Sequence, residues 1–527
     1  MQIAPDGGEL RQRAVRGAGV TVLSGGLGLG IQIVATVVLA RLLAPKDFGL
    51  VAMVVTFSAL LMNFGLNGFT EAVVQREEIN HVLVSNLFWI NLSGGLFLTI
   101  GFAASGSLLA RFYNDPLVAR VAAGMSLTIF LTSVSVLHLA LLKRAMRFSL
   151  VSANDMLARA VSVVVSIFLG WAGWGYWALV AGAVAFAAST SIGAWVLCRW
   201  IPGRPHRGAA TRPLIWFAIS TYGRFSIGYF TNNLDNLLIG WRLGPTPLGF
   251  YKKAYDLFAL PTSQLSAPLT IVAVSALSRL QRDYILYRRY LIGALGVMAF
   301  VGMGIGADLT LVGKDLIFLL LGSKWGETGR IFTFFGPGIG IRLLYGTHQW
   351  IHLSIGRADR WLRWGMIDLS VTAVFFLVGL RWGAVGIALA WVASCWIITL
   401  PAIWYAGRPI HLGIGSVITV VWKYVLASLL AGCASAALVR EMPAVLMTPD
   451  AFWAFARLAV TSILFGVLYL GAVILLHRGC RPLKQLAGLL QEMTSRRLST
   501  SPPPSQSPEE DSMDLSETAR LCPEEVS

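Results

Sequence analysis

Leu43-Ala44-Pro45-Lys46-Asp47-Phe48-Gly49 returns 200 residues further on as Leu243-Gly244-Pro245-Thr246-Pro247-Leu248-Gly249, two copies of an L-[AG]-P-x-x-[LF]-G pattern. The sequence around each copy is apolar. Of 527 residues, 56% are hydrophobic and 13% charged, where a soluble domain holds roughly 45–50% and about 25%. That excess belongs in a bilayer, whose core of ~30 Å takes ~20 helical residues per crossing. Apolar runs, read against turn and charge punctuation, predict fourteen spans: 18–40, 49–73, 83–109, 117–142, 151–171, 174–198, 214–241, 248–277, 289–309, 329–355, 362–380, 383–406, 417–439 and 452–477. The motif ends the first span and again the seventh, so its offset brackets six helices each time. Two six-helix lobes of parallel topology give that spacing.

The chain then divides into an N-terminal segment 1–17, a first lobe 18–198, a linker 199–213 with Pro202, Gly203, Pro205 and Gly208, and a second lobe 214–407. Two additional helices follow in 408–480. The remaining 481–527 is Ser/Pro/Glu-rich, poor in apolar residues and expected to be disordered. Arg11, Arg13 and Arg16 precede an apolar run too long for a signal h-region, so the first segment is expected to stay in the membrane. With the N-terminus inside, loops and flanks carry 22 Lys and Arg on the cytoplasmic side and 8 outside. The positive-inside rule therefore places both termini in the cytoplasm. Overall there are 42 Lys+Arg against 26 Asp+Glu, with seven of the acids in the last 19 residues. The basic residues stand singly at the ends of apolar segments, which argues against a nucleic-acid surface. Five cysteines without CxxC spacing indicate neither a disulfide framework nor a metal site.

Charged residues inside the spans mark the wet faces. Glu71, Asp155, Arg159, Arg224, Asp235, Lys252, Lys253, Asp256, Arg342 and Asp368 fall there, and ten such groups facing lipid would cost roughly 30 kcal/mol. Asn63, Asn67, Glu71 and Gln75 recur every fourth residue and line one helix face. Tyr229, Asn232, Asn233, Asp235 and Asn236, with Arg224 nearby, form a polar band on span seven. On span ten, Arg342, Tyr345, Gln349 and His352 follow the helix-breaking Gly336-Pro337-Gly338. Amides and tyrosines on such faces serve equally as glue between helices. Asp155 and Arg159, at i and i+4, read as a structural pair, and His138 as a packed or interfacial ring. His348 and His352 have the spacing of a zinc pair without a third ligand placed to help. Asp235 has no basic residue within a turn and is costly unless hydrated, protonated or cation-bound. Arg224, Lys252, Lys253 and Arg342 form the candidate anion-holding set.

Several stretches in register resemble a known family: Leu39 to Met53 (LARLLAPKDFGLVAM), Gln75 to Ile79 (QREEI), Asn233 to Gly240 (NLDNLLIG), Leu260-Pro261 with Gln264 and Ala267-Pro268, Ala276 to Gln281 (ALSRLQ) and Gly356 to Gly365 (GRADRWLRWG). Together they resemble the Wzx-type polysaccharide flippases, of the WzxC-like colanic-acid type, in the multidrug/oligosaccharidyl-lipid/polysaccharide (MOP) exporter superfamily. The resemblance runs from about residue 15 to about residue 480. It implies an all-α polytopic protein of the bacterial inner membrane, with two six-helix lobes around a central cationic cavity that alternates between inward-open and outward-open states. The implied cargo is an undecaprenyl-diphosphate-linked oligosaccharide. The implied partners are the bilayer, a polysaccharide polymerase, and chain-length or export proteins. Arg and Lys would hold the diphosphate, and Asn63, Asn67, Asn232, Asn236, Tyr345 and Gln349 would meet the sugars. No cofactor is implied beyond a proton or sodium gradient, for which Asp235 is the coupling candidate. Members of the family often carry Arg where this chain has Asn232 and Trp241, so span seven is less positive here.

Two other functions compete. A multidrug antiporter of the same superfamily would want a net negative cavity, whereas these wet faces mix Arg and Lys with the acids. A polymerase, ligase or glycosyltransferase would want a sizeable catalytic loop outside the membrane. The longest outside segment expected here, Leu309 to Thr328, is mainly apolar, so a transporter is expected and not an enzyme.

Overall fold

Both copies of the repeated motif turn the chain from one long helix into the next. In the second copy Gly244 takes φ +86°, a region open to glycine, and Pro245 sits in the first turn of the following helix, where no N–H is needed. In the first copy the Asp47 carboxylate accepts from the Ala44 N–H at 2.9 Å and closes the turn. The computed structural model describes residues 26–75, 80–206, 212–441 and 450–480. The N-terminal segment 1–17, the opening of the first span and the acidic tail from 481 lie outside the described residues.

The helices are α1 (Gly26–Leu42), α2 (Pro45–Gln75), α3 (His81–Ala104), α4 (Gly106–Tyr113), α5 (Leu117–Arg144), α6 (Phe148–Trp171) and α7 (Tyr176–Cys198), then α8 (Arg212–Leu243), α9 (Pro245–Arg279), α10 (Tyr284–Leu321), α11 (Gly326–Phe335), α12 (Gly338–Ser354), α13 (Ala358–Gly379), α14 (Gly383–Gly407), α15 (Ile414–Arg440) and α16 (Ala451–His477). No strand occurs among the described residues. Nine stretches among them are long and apolar enough to cross a bilayer, one of which, Asp359–Ile410, contains both α13 and α14. All sixteen helices belong to one unit, Met1–Arg478; of the second, Gly479–Ser527, only the first two residues are described.

Side-chain caps mark three of the helix starts. Asn80 accepts from the Leu83 N–H at 2.8 Å, Asp283 from Ile285 and Leu286 at 3.0 Å each, and Asp450 from Ala451 at 2.8 Å. Asn80 and Asp450 each occupy one, and Asp283 two, of the donors a helix N-terminus leaves open. Two expectations are corrected. The segment Leu309 to Thr328 is not a loop: α10 continues to Leu321, a 3-10 turn spans Ser323–Trp325, and α11 begins at Gly326. The third expected span is likewise divided, because the chain re-aims at Ser105 into α4. At Ser105 the apolar run continues past the point where the backbone re-aims, whereas at α10 the charged Asp308, Lys314 and Asp315 interrupt an apolar run that stays helical to Leu321. Gly336-Pro337 does separate α11 from α12, whereas α9 stays helical through Pro261 and Pro268.

Packing repeats with the motif. In the first half α2 packs on α5, α5 on α3 and α7, and α6 on α7; in the second α9 packs on α12, α12 on α10 and α14, and α13 on α14. The halves meet where α2 lies along α8 and α9. At that seam the two motif copies touch reciprocally: a methyl added to Gly49 would stand inside the Pro245 carbonyl, and one added to Gly249 inside that of Pro45.

The last two helices pack on each other and on α10. Arg457 on α16 makes a two-pronged contact with Asp315 on α10, at 2.5 and 3.2 Å. Ser462 donates to Asp308 at 3.2 Å and the Tyr469 hydroxyl to the Phe300 carbonyl at 2.7 Å. The Arg457 and Asp315 side chains are 13% and 25% exposed. Removing one partner strands the other, a loss of about 3–5 kcal/mol for a buried pair. Arg457→Met is therefore expected to lower the melting temperature of the detergent-purified protein, and adding Asp315→Asn is expected to recover part of the loss. Equal melting temperatures for wild type and Arg457→Met would show that the pair contributes nothing.

Candidate substrate site

The break at Gly336-Pro337 restarts the helix as α12 and sets the direction of the polar side chains that follow. Arg342 is the first of these. One of its Nη atoms lies 3.5 Å from the Asn232 Oδ1 of α8. Its guanidinium sits over Tyr345 and Trp391, at 5.5 and 5.8 Å from the ring centres. No carboxylate forms an ion pair with it among the described residues. One turn on, the buried Tyr345 donates its hydroxyl to Asp368 at 2.6 Å and accepts the Trp364 indole N–H at 3.2 Å. Thr372 donates to the other Asp368 oxygen at 3.1 Å. The ring that carries Arg342 is thus held by α13, while the guanidinium itself, apart from the long contact to Asn232, has no carboxylate partner among the described residues.

The two lysines of the candidate set are engaged. Lys252 pairs with Asp256 one turn along α9, at 2.5 Å. Lys253 reaches across the seam and rests its ammonium 4.2 Å above the ring of Phe48. Asp235 is buried; it accepts from the Tyr251 hydroxyl at 2.7 Å and from the Asn236 N–H at 2.7 Å. The Asn236 amide nitrogen donates to Asn233 at 3.4 Å, and its oxygen has no partner although buried. Asn63 and Asn232 donate to the carbonyls four residues back, Ala59 and Gly228, both at 2.7 Å. Gln349 is half-buried on α12. The side chains of Asn67, Glu71, Gln75 and Arg224 lie outside the described residues.

Residues read as structural sit accordingly. Asp155 and Arg159 pair at 2.7 Å. His138 is fully buried, stacks on Trp195 at 4.3 Å and places Nε2 3.2 Å from the Trp200 carbonyl. His348 places Nδ1 2.5 Å from the Tyr345 carbonyl, and His352 is buried beside it. A separate, mainly apolar cavity of about 860 Å³ opens among the ends of α8, α9, α11, α13 and α14, lined in part by Phe250, Arg330, Phe375 and Trp382. Leu243 and Pro247 of the second motif copy line it, but none of the candidate site residues read from the sequence does.

Residues 38–329, more than half the chain and including both motif copies, match the family described as "Polysaccharide biosynthesis protein". The chain belongs to that family. Among curated relatives, the Lipopolysaccharide biosynthesis protein WzxC of Escherichia coli (strain K12) is 23% identical over 325 residues, which cover 60% of this chain and 65% of WzxC, just under two thirds of its length. The Succinoglycan biosynthesis transport protein ExoT of Rhizobium meliloti (strain 1021) is 23% identical over 385 residues, 73% of this chain and 78% of ExoT. Among solved structures, the lipid II flippase MurJ in an inward closed conformation superposes with a TM-score of 0.71 over 87% of this chain and 98% of MurJ, at 14% identity. An inward-facing multidrug MATE transporter of the MOP superfamily gives a TM-score of 0.58 over 72% of this chain and 94% of that one, at 12% identity. The fold is therefore that of the MOP exporters, in agreement with the resemblance carried by the motifs.

Within this member of the polysaccharide biosynthesis family, the residues the sequence failed to single out are mostly aromatic. Trp391, Trp364 and Tyr251 hold Arg342, Tyr345 and Asp235 respectively, yet the first stands in an apolar run and the other two beside charged residues that draw the eye first. Only partners that are distant in the chain distinguish them.

Proposed function

We propose that this chain flips an undecaprenyl-diphosphate-linked oligosaccharide repeat unit from the cytoplasmic to the periplasmic leaflet of the inner membrane, by alternating access between two lobes. The observation that carries this reading is Arg342, a cation among helices expected to cross the membrane, with aromatic rings beneath it and no carboxylate paired to it among the described residues. An intramembrane charge left uncompensated by the protein is a ligand site by default. Guanidinium is suited to a diphosphate because its fork of donors meets two oxygens at once. Asn232, the half-buried Gln349 and the surrounding rings offer amide and aromatic partners for sugars, and the prenyl chain can remain in lipid. ExoT, named for succinoglycan biosynthesis transport, and WzxC, named for lipopolysaccharide biosynthesis, support the same cargo class. A cationic-drug antiporter would want carboxylates facing the ligand, but the hydroxyls of Tyr251 and Tyr345 already engage Asp235 and Asp368.

Both termini are read as cytoplasmic, which puts the motif end of the seam on the periplasmic side. Contacts there run from Gly49 and Gly249 past Tyr229, whose hydroxyl reaches the Val55 carbonyl at 3.5 Å, to Tyr222 and the Leu60 carbonyl at 3.0 Å. The conformation is accordingly read as closed to the periplasm. Asp235 is proposed as the coupling carboxylate, with Tyr251 as the donor that competes with an ion or proton for it. Asp235→Asn is expected to leave residual transport that no longer responds to a proton or sodium gradient in proteoliposomes; full gradient dependence in the variant would end this assignment.

The flippase reading is tested in a deletion strain, with and without a plasmid copy. Loss of the chain should trap the lipid-linked repeat unit on the cytoplasmic leaflet and stop exopolysaccharide output, and the plasmid should restore both. A repeat unit that reaches the periplasm but stays unpolymerised would place the chain after translocation and overturn the reading.

A further inference from the structure

We propose that Arg41 and Trp325 form a two-part latch that holds the outer ends of the two lobes together, and that it must open in each transport cycle. The inference rests on the alternating-access reading for its place in the cycle, while its geometry stands alone. Every α-helix leaves its last four carbonyls without partners in its own helix. At the end of α1 the Ala40 carbonyl accepts the indole N–H of Trp325, at 2.8 Å, from the turn between α10 and α11. At the end of α10 the Leu319 and Leu320 carbonyls accept the guanidinium of Arg41, at 2.8 and 3.5 Å, from the end of α1. Each helix end is capped by a side chain belonging to the other half of the molecule. The Arg41 cation also stands at the negative end of the α10 dipole.

The latch continues into the seam. Trp325 is fully buried, with Phe48 and Phe250 edge-on at 5.5 and 6.0 Å. These two rings are the neighbours of Gly49 and Gly249, the last residue of each motif copy. Thr328 adds a bond to the Phe250 carbonyl at 3.1 Å, and Lys253 covers Phe48. The seam therefore holds one aromatic plug between two repeated glycine contacts, with a carbonyl cap on either side.

Position makes this arrangement reversible. In the hydrocarbon core an unsatisfied carbonyl costs several kcal/mol, so a cap there would be permanent. Arg41 is exposed, and at a water interface the freed carbonyls rehydrate. At the two caps, the net worth of an ordinary or charge-assisted hydrogen bond then opposes opening, beside the packing of the Trp325 ring. Two such contacts can bias a two-state equilibrium strongly without locking it.

The test uses the full-length protein in oriented membrane vesicles, with its native cysteines replaced and a single reporter, Val55→Cys, in the seam beneath the latch. The rate of labelling by an impermeant maleimide from the Arg41 side reads the open fraction and needs no substrate. Trp325→Phe keeps an aromatic ring but removes the N–H together with part of the indole; Arg41→Gln removes the cation; Arg41→Lys returns it. Trp325→Phe and Arg41→Gln should each speed labelling by about three- to tenfold, the combined variant should exceed either, and Arg41→Lys should reverse most of the Arg41→Gln effect. If Trp325→Phe lowers the amount of folded protein, the surface substitution Arg41→Gln still decides the matter. Labelling unchanged in Arg41→Gln, or equally fast in Arg41→Gln and Arg41→Lys, would overturn the latch. Faster labelling in a protein that moves no lipid-linked sugar would leave the latch standing and remove the cargo reading.

Discussion

Arg342→Ala is expected to lower translocation of the lipid-linked repeat unit by about 10- to 100-fold while leaving membrane abundance near wild type. The magnitude follows from the loss of one charged hydrogen-bonding group, worth about 1.5–3 kcal/mol, with each 1.4 kcal/mol corresponding to about tenfold in affinity. Abundance should hold because no ion pair within the described chain depends on the guanidinium. Its nearest polar contact, Asn232 at 3.5 Å, also has its amide nitrogen bonded to Gly228. Arg342→Lys should retain the charge but lose the two-pronged fit and fall between the two. Periplasmic accessibility of the lipid-linked repeat unit, normalised to immunoblotted protein, is the measurement. Wild-type output from Arg342→Ala would remove this residue from the site, and a matching fall in abundance would assign it to folding.

Gly49→Ala and Gly249→Ala are expected to match each other in effect and to abolish most transport. In each, the new methyl meets a backbone carbonyl, Pro245 for the first and Pro45 for the second, and a carbonyl on a helix start cannot rotate aside as a flexible side chain can. Overpacking costs about 1–3 kcal/mol in a well-packed site, and here the cost falls on the closed seam alone. The equilibrium should move toward an outer-open state by about 5- to 100-fold. Gly101→Ala, which would meet nothing within 4 Å, is the control. Maleimide labelling of the Val55→Cys reporter, with exopolysaccharide output measured alongside, checks both halves of the statement. Labelling and output at wild-type levels in either alanine variant would show that the motif copies do not meet in a working state.

The organisation of the helices was legible in the sequence because hydropathy reports lipid directly, and every expected span contains a helix. The repeated heptapeptide disclosed the relation between halves, since proline and glycine at a helix start are dictated by local backbone geometry. One error occurred where apolar composition continued through a change of direction, at Ser105, and the other where Asp308, Lys314 and Asp315 punctuate a helix that continues to Leu321. A polar face was also legible as a face, but its chemistry was not. Lys252, Lys253 and Arg342 look alike in composition, yet the first is neutralised by Asp256, the second lies on Phe48, and the third lies over Tyr345 and Trp391 with no carboxylate paired to it among the described residues.

What the sequence by itself determined is a membrane class, a helical register and a two-fold internal repeat, because each follows from interactions between residues within about one turn of a helix or from contact with lipid. What only the tertiary structure decided is which charges remain available and what joins the halves. Trp325 and Ala40 are 285 residues apart, Arg41 and Leu319 are 278 apart, and Arg342 and Asn232 are 110 apart. Periodicity tells which side of one helix a residue occupies, but the partner across the gap is set by how two helices pack.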